Sequence, residues 1–382
     1  RSTQGVSSAA SDVYKRQRKN FIFKMSVVFV MGIMALGQVS CSSKTETNVD
    51  KEGEASSESQ GDVFFQTRGI ILSWDDVKKP EVLDWLKLSE NAGITTLSVF
   101  GADIYSAEYQ EFVSKCREKS IDIEYQEHMM ATLLPRDLFK EHPAYFRMDE
   151  NGQRTADFNC CPSSEEALSI IAANAKVAAQ KCTSSNNKYY YWLDDGGKRC
   201  HCKLCDKYND SDQALLIENQ IIRALKEVNP QAKLAHLAYQ GTIPAPEIVK
   251  PENDIFLEFA PFNRRWDKPL RERDAIRDGM TITHGEYIDA LEANLKVFPK
   301  ETAQVLEYWM DVSLFSDWKK PAVQLPWNKN VFLSDINTYA HYGIRNIIAY
   351  AVYVDAIYYE TYKNVNFVQE YGDGLKNYRL PE

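Results

Sequence analysis

Eight short apolar runs, each followed by a loop, constrain this chain more than any other feature. They fall at residues 69–73, 95–100, 121–126, 189–193, 234–239, 255–260, 303–309 and 346–351. Runs this short, with no helical period, read as strands buried on both faces. Segments with helical spacing lie between them, at 80–92, 107–119, 164–181, 212–228, 285–297 and 330–342. Ser163-Ser164-Glu165-Glu166 offers a cap and early acids to one helix, and Lys79-Pro80-Glu81 puts a proline at the first turn of another. Strand–helix alternation implies a parallel sheet, and eight strands predict closure into an α/β barrel, a (β/α)8 TIM barrel. An open doubly wound sheet is the architectural alternative. The segment after the fifth run, 244–250, is short and proline-broken, and is the weakest helix.

The chain before the first run has a different composition. Residues 1–17 are Ser/Ala-rich, lack an initiator Met and read as a non-native lead-in. Arg18-Lys19-Asn20, the apolar run 21–36 and Gly37-Gln38-Val39-Ser40-Cys41 then have the order of a lipoprotein signal, with lipidation at Cys41. Gln38 stands where an aliphatic residue is usual. A single membrane anchor competes with this reading, but Lys24 interrupts the run, which is short for a bilayer span. Residues 1–41 are therefore expected to direct export and lipid anchoring to a bacterial outer membrane, leaving the protein periplasmic or on the cell surface. Residues 42–62 are Ser, Glu, Lys, Thr and Gly without an apolar period, a flexible tether. Residues 63–382 suit one barrel, which takes ~250 residues plus insertions. A net charge of -9 argues against a nucleic-acid partner, which would want a basic face.

The longest loops, 129–162, 194–211, 261–283 and 310–329, all follow carboxyl ends of strands, where a barrel builds its site. Acids gather there: Asp75, Asp76, Asp103, Glu127 beside His128, Asp194, Asp195, Glu258, Glu307, Asp311 and Asp355. Any one alone reads as a cap or an ion-pair partner. Their accumulation on one rim points to chemistry, because glycoside hydrolysis uses one carboxyl as acid and a second as nucleophile or base. The richest stretch is Tyr189-Tyr190-Tyr191-Trp192-Leu193-Asp194-Asp195-Gly196-Gly197. Adjacent strand residues face opposite ways, so the two acids share an aim only if the backbone turns at the glycines. Asp195 is the expected general acid and Asp194 its partner. Glu307 is the first choice for nucleophile or base and Glu258 the second, since a seventh-strand carboxylate faces the fourth-strand acid in many sugar-cleaving barrels.

Aromatics are the second signal, because flat rings offer an apolar face to a sugar. Trp74, Trp266, Trp309, Trp318, Trp327 and Tyr353 are the binding candidates, while Trp192 and Tyr239 read as barrel filling. Glu127, His128, Arg264 and Asp311 complete the expected substrate-binding set; the forks of Arg264 and Arg265 suit a ligand carboxylate or the nearby acids. Cys200, Cys202 and Cys205 have metal-like spacing, with a fourth ligand from Cys161, or from His201, Cys160 or Cys182. A zinc ion held there would be structural, as three thiolates leave little Lewis acidity. Disulfides compete in an exported chain, although eight cysteines less Cys41 leave seven, which cannot all pair.

Several motifs occur in a fixed order: Glu127-His128, Leu133-Leu134-Pro135, His142-Pro143-Ala144-Tyr145-Phe146, Gly152-Gln153-Arg154, Cys161-Pro162-Ser163-Ser164-Glu165, Trp192-Leu193-Asp194-Asp195-Gly196 with the cysteines, and Leu237-Ala238-Tyr239. In these the chain resembles a bacterial family of exported domain-of-unknown-function proteins within the glycoside-hydrolase TIM-barrel superfamily. The resemblance spans residues 69–359. It implies a carbohydrate substrate, a place in polysaccharide degradation and no cofactor in the chemistry. The paired acids are also similar to those of O-GlcNAcase-type hexosaminidase barrels, where one acid positions the substrate's acetamido group and the next is the general acid. The expected function is hydrolysis of a poly- or oligosaccharide, hexosaminidase- or glucuronidase-like. The rival is a non-catalytic glycan-binding barrel on the cell surface, which needs only the aromatics and the polar rim. No Gly-x-Ser-x-Gly elbow favours an esterase.

Overall fold

The structure, a computed structural model, describes residues 63–181 and 184–380. The expected signal, Cys41, the tether and Cys182 lie outside the described residues. The strands are β1 (Thr67–Ser73), β2 (Thr96–Phe100), β3 (Asp122–Glu124), β4 (Gln126–His128), β5 (Lys188–Trp192), β6 (Lys233–Ala238), β7 (Ile255–Phe259), β8 (Gln304–Glu307) and β9 (Asn346–Tyr350). They pair in the order β3-β2-β1-β9-β8-β7-β6-β5-β4, and every pairing is parallel. The two ends of this order, β3 and β4, are separated only by Tyr125. One run of chain therefore pairs with β2 through its first half and with β5 through its second. This closes the sheet into a barrel of eight strand positions, the third split at Tyr125, and sets aside the open sheet.

Strand alternation sorts the side chains into two cores. Ile71, Tyr190, Trp192, Phe256, Leu306 and Ile348 fill the barrel, whereas Ile70, Leu72, Leu257, Val305 and Ile347 pack outward with the helices. In β7 the pattern puts Glu258 inside with Phe256. In β8 it puts Glu307 outside with Val305, away from the barrel axis. That parity decides what each acid can do.

Six helices occupy the predicted segments, with two boundaries misplaced, the fifth helix ending at Asn294 instead of 297. The first begins at Trp85, not at Pro80, because Asp84 caps it by accepting from the Lys87 N–H at 3.0 Å. After β6 the described chain forms only a short 3-10 turn, Gln240–Thr242. The proline-broken segment that follows leans on the helix Asp210–Val228. Asp212 accepts from the N–H groups of Glu247, Ile248 and Val249, and Asn219 bonds Lys250 and Glu252. Side chains thus satisfy backbone groups that a helix would have paired internally.

Candidate active site

β5 ends in the acid pair. Gly196 has φ +64, and the Gly197 N–H donates to the Asp194 carbonyl at 2.9 Å, which closes a tight turn. A Cβ on Gly197 would come within 2.6 Å of that carbonyl, so only glycine fits. The turn sends the two acids apart. Asp194 pairs with Arg136 and accepts from the Asn159 N–H at 2.6 Å, while its own N–H donates to the Asn159 side chain at 2.8 Å. Asp195, partly buried, faces the Tyr239 hydroxyl instead. Burial first, then the Asp195 charge, pushes the Tyr239 phenol well above 10.0. Tyr239, read from sequence as barrel filling, is therefore a direct partner of the acid.

Around Asp195 the mouth is aromatic. Tyr239 packs on Phe262 at 5.5 Å, Phe262 on Tyr308 at 5.1 Å, and Tyr308 stacks on Tyr350 at 5.2 Å and 18°. Phe100 closes one end, and Trp266 lies edge-on to Tyr308 at 5.5 Å. Trp318 packs on Phe262. These rings come from the ends of β2, β6, β8 and β9 and the loop after β7. Beside the acid turn a cavity of ≈ 50 Å³ is lined by His128, Asp194, Gly197, Tyr239 and Gln240. It has room for about one or two waters, not a sugar ring.

The two expected partners of Asp195 are elsewhere, Glu307 because of strand parity and Glu258 because it is sealed below the mouth. Glu307 points outward and is fully buried against Arg264 at 2.9 Å and the Tyr339 hydroxyl. Arg264 also bonds Asp335 at 2.6 Å, so it holds no surface for a ligand carboxylate. Trp309 donates to Asp335 at 3.0 Å from inside the same layer. Trp327 bonds Glu370 at 2.9 Å and packs on Phe332 and Phe367. Trp74 packs on Tyr109 and Phe112 of the helix Ala107–Glu118. These correct the expectation that Arg264 and Trp309 bind substrate and that Glu307 faces the cleft, while Trp74 and Trp327 stay partly exposed.

Glu258 lies inside the barrel but is sealed below the mouth. It is fully buried and accepts from Trp192 Nε1 at 2.8 Å and Gln304 Nε2 at 2.9 Å. Burial pushes its carboxyl from 4.5 up to about 8, against those two hydrogen bonds. Such a group holds its proton more tightly folded than unfolded. Its contribution to stability is complete below 4.5 and is lost as pH climbs to about 8. Asp76 and Glu307, both raised to about 7 by burial, act with the same sign. Glu258→Gln should therefore flatten the fall in denaturation free energy across this window. A slope equal to that of wild type would show that Glu258 stays ionised in the fold.

The remaining rim acids are engaged. Asp76 accepts from Ser73 and the Tyr353 N–H, and Asp355 pairs with Lys320 and caps the helix Ala356–Tyr362. Asp311, raised by burial to about 6, caps the turn Val312–Phe315 through Ser313 and Leu314. Glu127 is bonded by the Tyr125 hydroxyl, and His128 meets the Leu193 carbonyl and the Trp192 ring. Asp75 pairs with Lys78, and Asp103 is exposed. Tyr353 lies near the mouth, its hydroxyl donating to the Trp318 carbonyl at 3.2 Å. Of the rim acids named from the sequence, Asp195 is the one whose partners are the phenols of the mouth.

The cysteines converge. The sulfurs of Cys161, Cys200, Cys202 and Cys205 all lie within 4.8 Å of one another, and all four residues are buried. Cys161 is 3.7 Å from Cys202 and 3.8 Å from Cys205, too far for disulfides, whose sulfurs sit about 2.05 Å apart. Cys160 is buried outside this group, and the His201 ring faces Glu150 and Asp206 instead.

A closed parallel barrel with acids and aromatics at its carboxyl-end mouth is an α/β barrel of the TIM type, the architecture of many enzymes. Over residues 40–370 the chain matches the family described as a domain of unknown function, DUF4838, and it belongs to that family. No curated protein matches it. Among solved structures it is similar to a β-N-acetylhexosaminidase from Bacteroides fragilis, at 11% identity and a TM-score of 0.48, covering 81% of this chain and 65% of that one. A broad-specificity endoglucanase from an uncultured bacterium gives 12% identity and a TM-score of 0.47, covering 80% and 86%. An O-GlcNAc hydrolase from Thermobaculum terrenum gives 11% and 0.42, covering 82% and 63%. The chain thus spans about two thirds of the hexosaminidase's length.

Proposed function

We propose that this barrel hydrolyses glycosidic bonds of a poly- or oligosaccharide, with Asp195 giving its proton to the departing glycosidic oxygen. The observation that carries the reading is the acid turn, which directs Asp195 alone of the pair toward the aromatic mouth. Tyr239 faces Asp195 at this mouth. The partly exposed rings of Trp266, Trp318 and Tyr350 offer stacking faces for the sugar.

A second enzyme carboxylate is the usual requirement. Glu258 and Glu307 are sealed in their own networks, and Asp311 is committed to a cap. This favours a sugar that supplies its own nucleophile, a 2-acetamido sugar whose carbonyl oxygen attacks the anomeric carbon. The protein would then need one acid for the leaving oxygen, a polar group to hold the acetamido N–H and a surface that holds the ring, with no cofactor in the reaction. A lipid on Cys41 would place this activity at the outer membrane, against external glycans.

Paired aryl glycosides test the reading. The 2-acetamido compound should be hydrolysed at least about 10²-fold faster than its 2-hydroxy counterpart, because the internal nucleophile is already in place. Equal rates would refute the substrate-assisted route and return the search to an enzyme carboxylate. Binding of either sugar without hydrolysis would favour the glycan-binding rival.

A further inference from the structure

We propose that Cys161, Cys200, Cys202 and Cys205 bind one zinc ion tetrahedrally, and that this ion ties together the two loops flanking the acid turn. The site stands on its own residues and does not depend on the glycosidase reading. A tetrahedral ion with metal–sulfur bonds of about 2.3 Å has sulfur–sulfur edges of about 3.8 Å. The two spacings from Cys161, 3.7 Å and 3.8 Å, fit that edge, and the whole group closes within 4.8 Å. Four sulfurs so close surround a single ion; a multi-iron cluster would hold them further apart.

The backbone prepares this arrangement. Cys205 N–H and Asp206 N–H both donate to the Cys202 carbonyl, at 2.8 and 3.0 Å, a tight turn that brings Cys202 and Cys205 together. Gln213 accepts from the Cys200 N–H and donates to the Cys200 and Cys205 carbonyls, fixing the turn to the helix behind it. The donors around the sulfurs suit thiolates. Met148 N–H reaches Cys200 at 3.3 Å, the Ser163 hydroxyl lies 3.0 Å from Cys205, and the Arg154 guanidinium lies 3.8 Å from Cys200. Binding would replace four thiol protons with one zinc ion, leaving a complex of charge −2 that Arg154 partly offsets. Among the described residues Met148 is the one apolar side chain besides the cysteines packed into this cluster.

The ion's place explains its use. Cys161 belongs to the loop after β4, and the other three follow β5. The same two loops meet again where Asn159 and Arg136 hold Asp194. Zinc at one end and Asp194 at the other would pin the turn that presents Asp195. With every position filled by protein sulfur the ion has no open site for substrate, so its role is positional.

Metal analysis of tag-free protein purified with its thiols reduced, then given zinc alone and dialysed, tests this. One zinc per chain is expected, with an X-ray absorption spectrum of four sulfurs at about 2.3 Å. Cys161→Ser should lose that stoichiometry, whereas Cys160→Ser, altering the buried neighbour outside the group, should keep it. If Cys161→Ser fails to fold, the wild-type spectrum still decides. Absence of zinc, a nitrogen or oxygen ligand, iron at the same stoichiometry, or disulfides among the four residues would each overturn the proposal.

Discussion

Asp195→Asn should keep the fold and glycan binding but lose turnover by about 10²–10⁴-fold. Asn has nearly the same volume and keeps a polar group facing Tyr239, so the aromatic mouth has no reason to rearrange. It has no proton to give to a departing oxygen. The loss should be greatest with poor leaving groups and shrink with aryl leaving groups that depart unassisted. Comparing kcat across a leaving-group series in wild type and variant checks this. A uniform loss across the series would point to damaged geometry in place of a missing acid. Asp194→Asn serves as the contrast, because it weakens the tie to Arg136 and Asn159 and should lower activity and stability together.

Arg264→Met should destabilise the barrel by about 3–5 kcal/mol, the largest stability effect expected here. Arg264, Glu307 and Asp335 are all fully buried, and the guanidinium bonds both carboxylates. Met fills the space of the side chain but leaves two acids in the helix layer without a cation. Glu307, raised to about 7 by burial and held down by Arg264, would rise further. The variant should therefore lose additional stability as pH increases toward and beyond neutrality. Urea denaturation at several pH values measures both effects. A change under about 1 kcal/mol would mean that water compensates the exposed charges and the network is not sealed. Arg265→Met, which removes an exposed pair with Asp267, should leave stability almost unchanged.

The barrel was legible because its signal is repetitive: eight apolar runs at strand length, separated by helical segments, admit few architectures. Which face each strand residue takes was not legible. Strands of a closed parallel barrel are apolar on both faces, so Ile255-Phe256-Leu257-Glu258-Phe259 does not reveal which set points inward. Glu307 was chosen by strand number and failed on parity, whereas Glu258 has the right parity but is sealed by Trp192 and Gln304. Pro80 was read as the helix start, but the helix begins where Asp84 caps it, a signal the sequence reading missed. The glycines were read as letting Asp194 and Asp195 share an aim, but the turn sends them apart, because partners of Asp194 not legible in the sequence hold it away. Arg136 and Asn159 lie 58 and 35 residues away and meet it only through the loop fold. For the same reason the spacing of Cys200, Cys202 and Cys205 announced a cluster, while the choice of Cys161 over Cys160 or His201 awaited the structure.

The most direct test of the account is product analysis by mass spectrometry after wild type and Asp195→Asn are each incubated with a panel of oligosaccharides, with and without 2-acetamido groups. The account predicts shortened products from the 2-acetamido chains with wild type and almost none with the variant. Intact oligosaccharides throughout, bound equally by both proteins, would contradict it and make the barrel a glycan-binding protein.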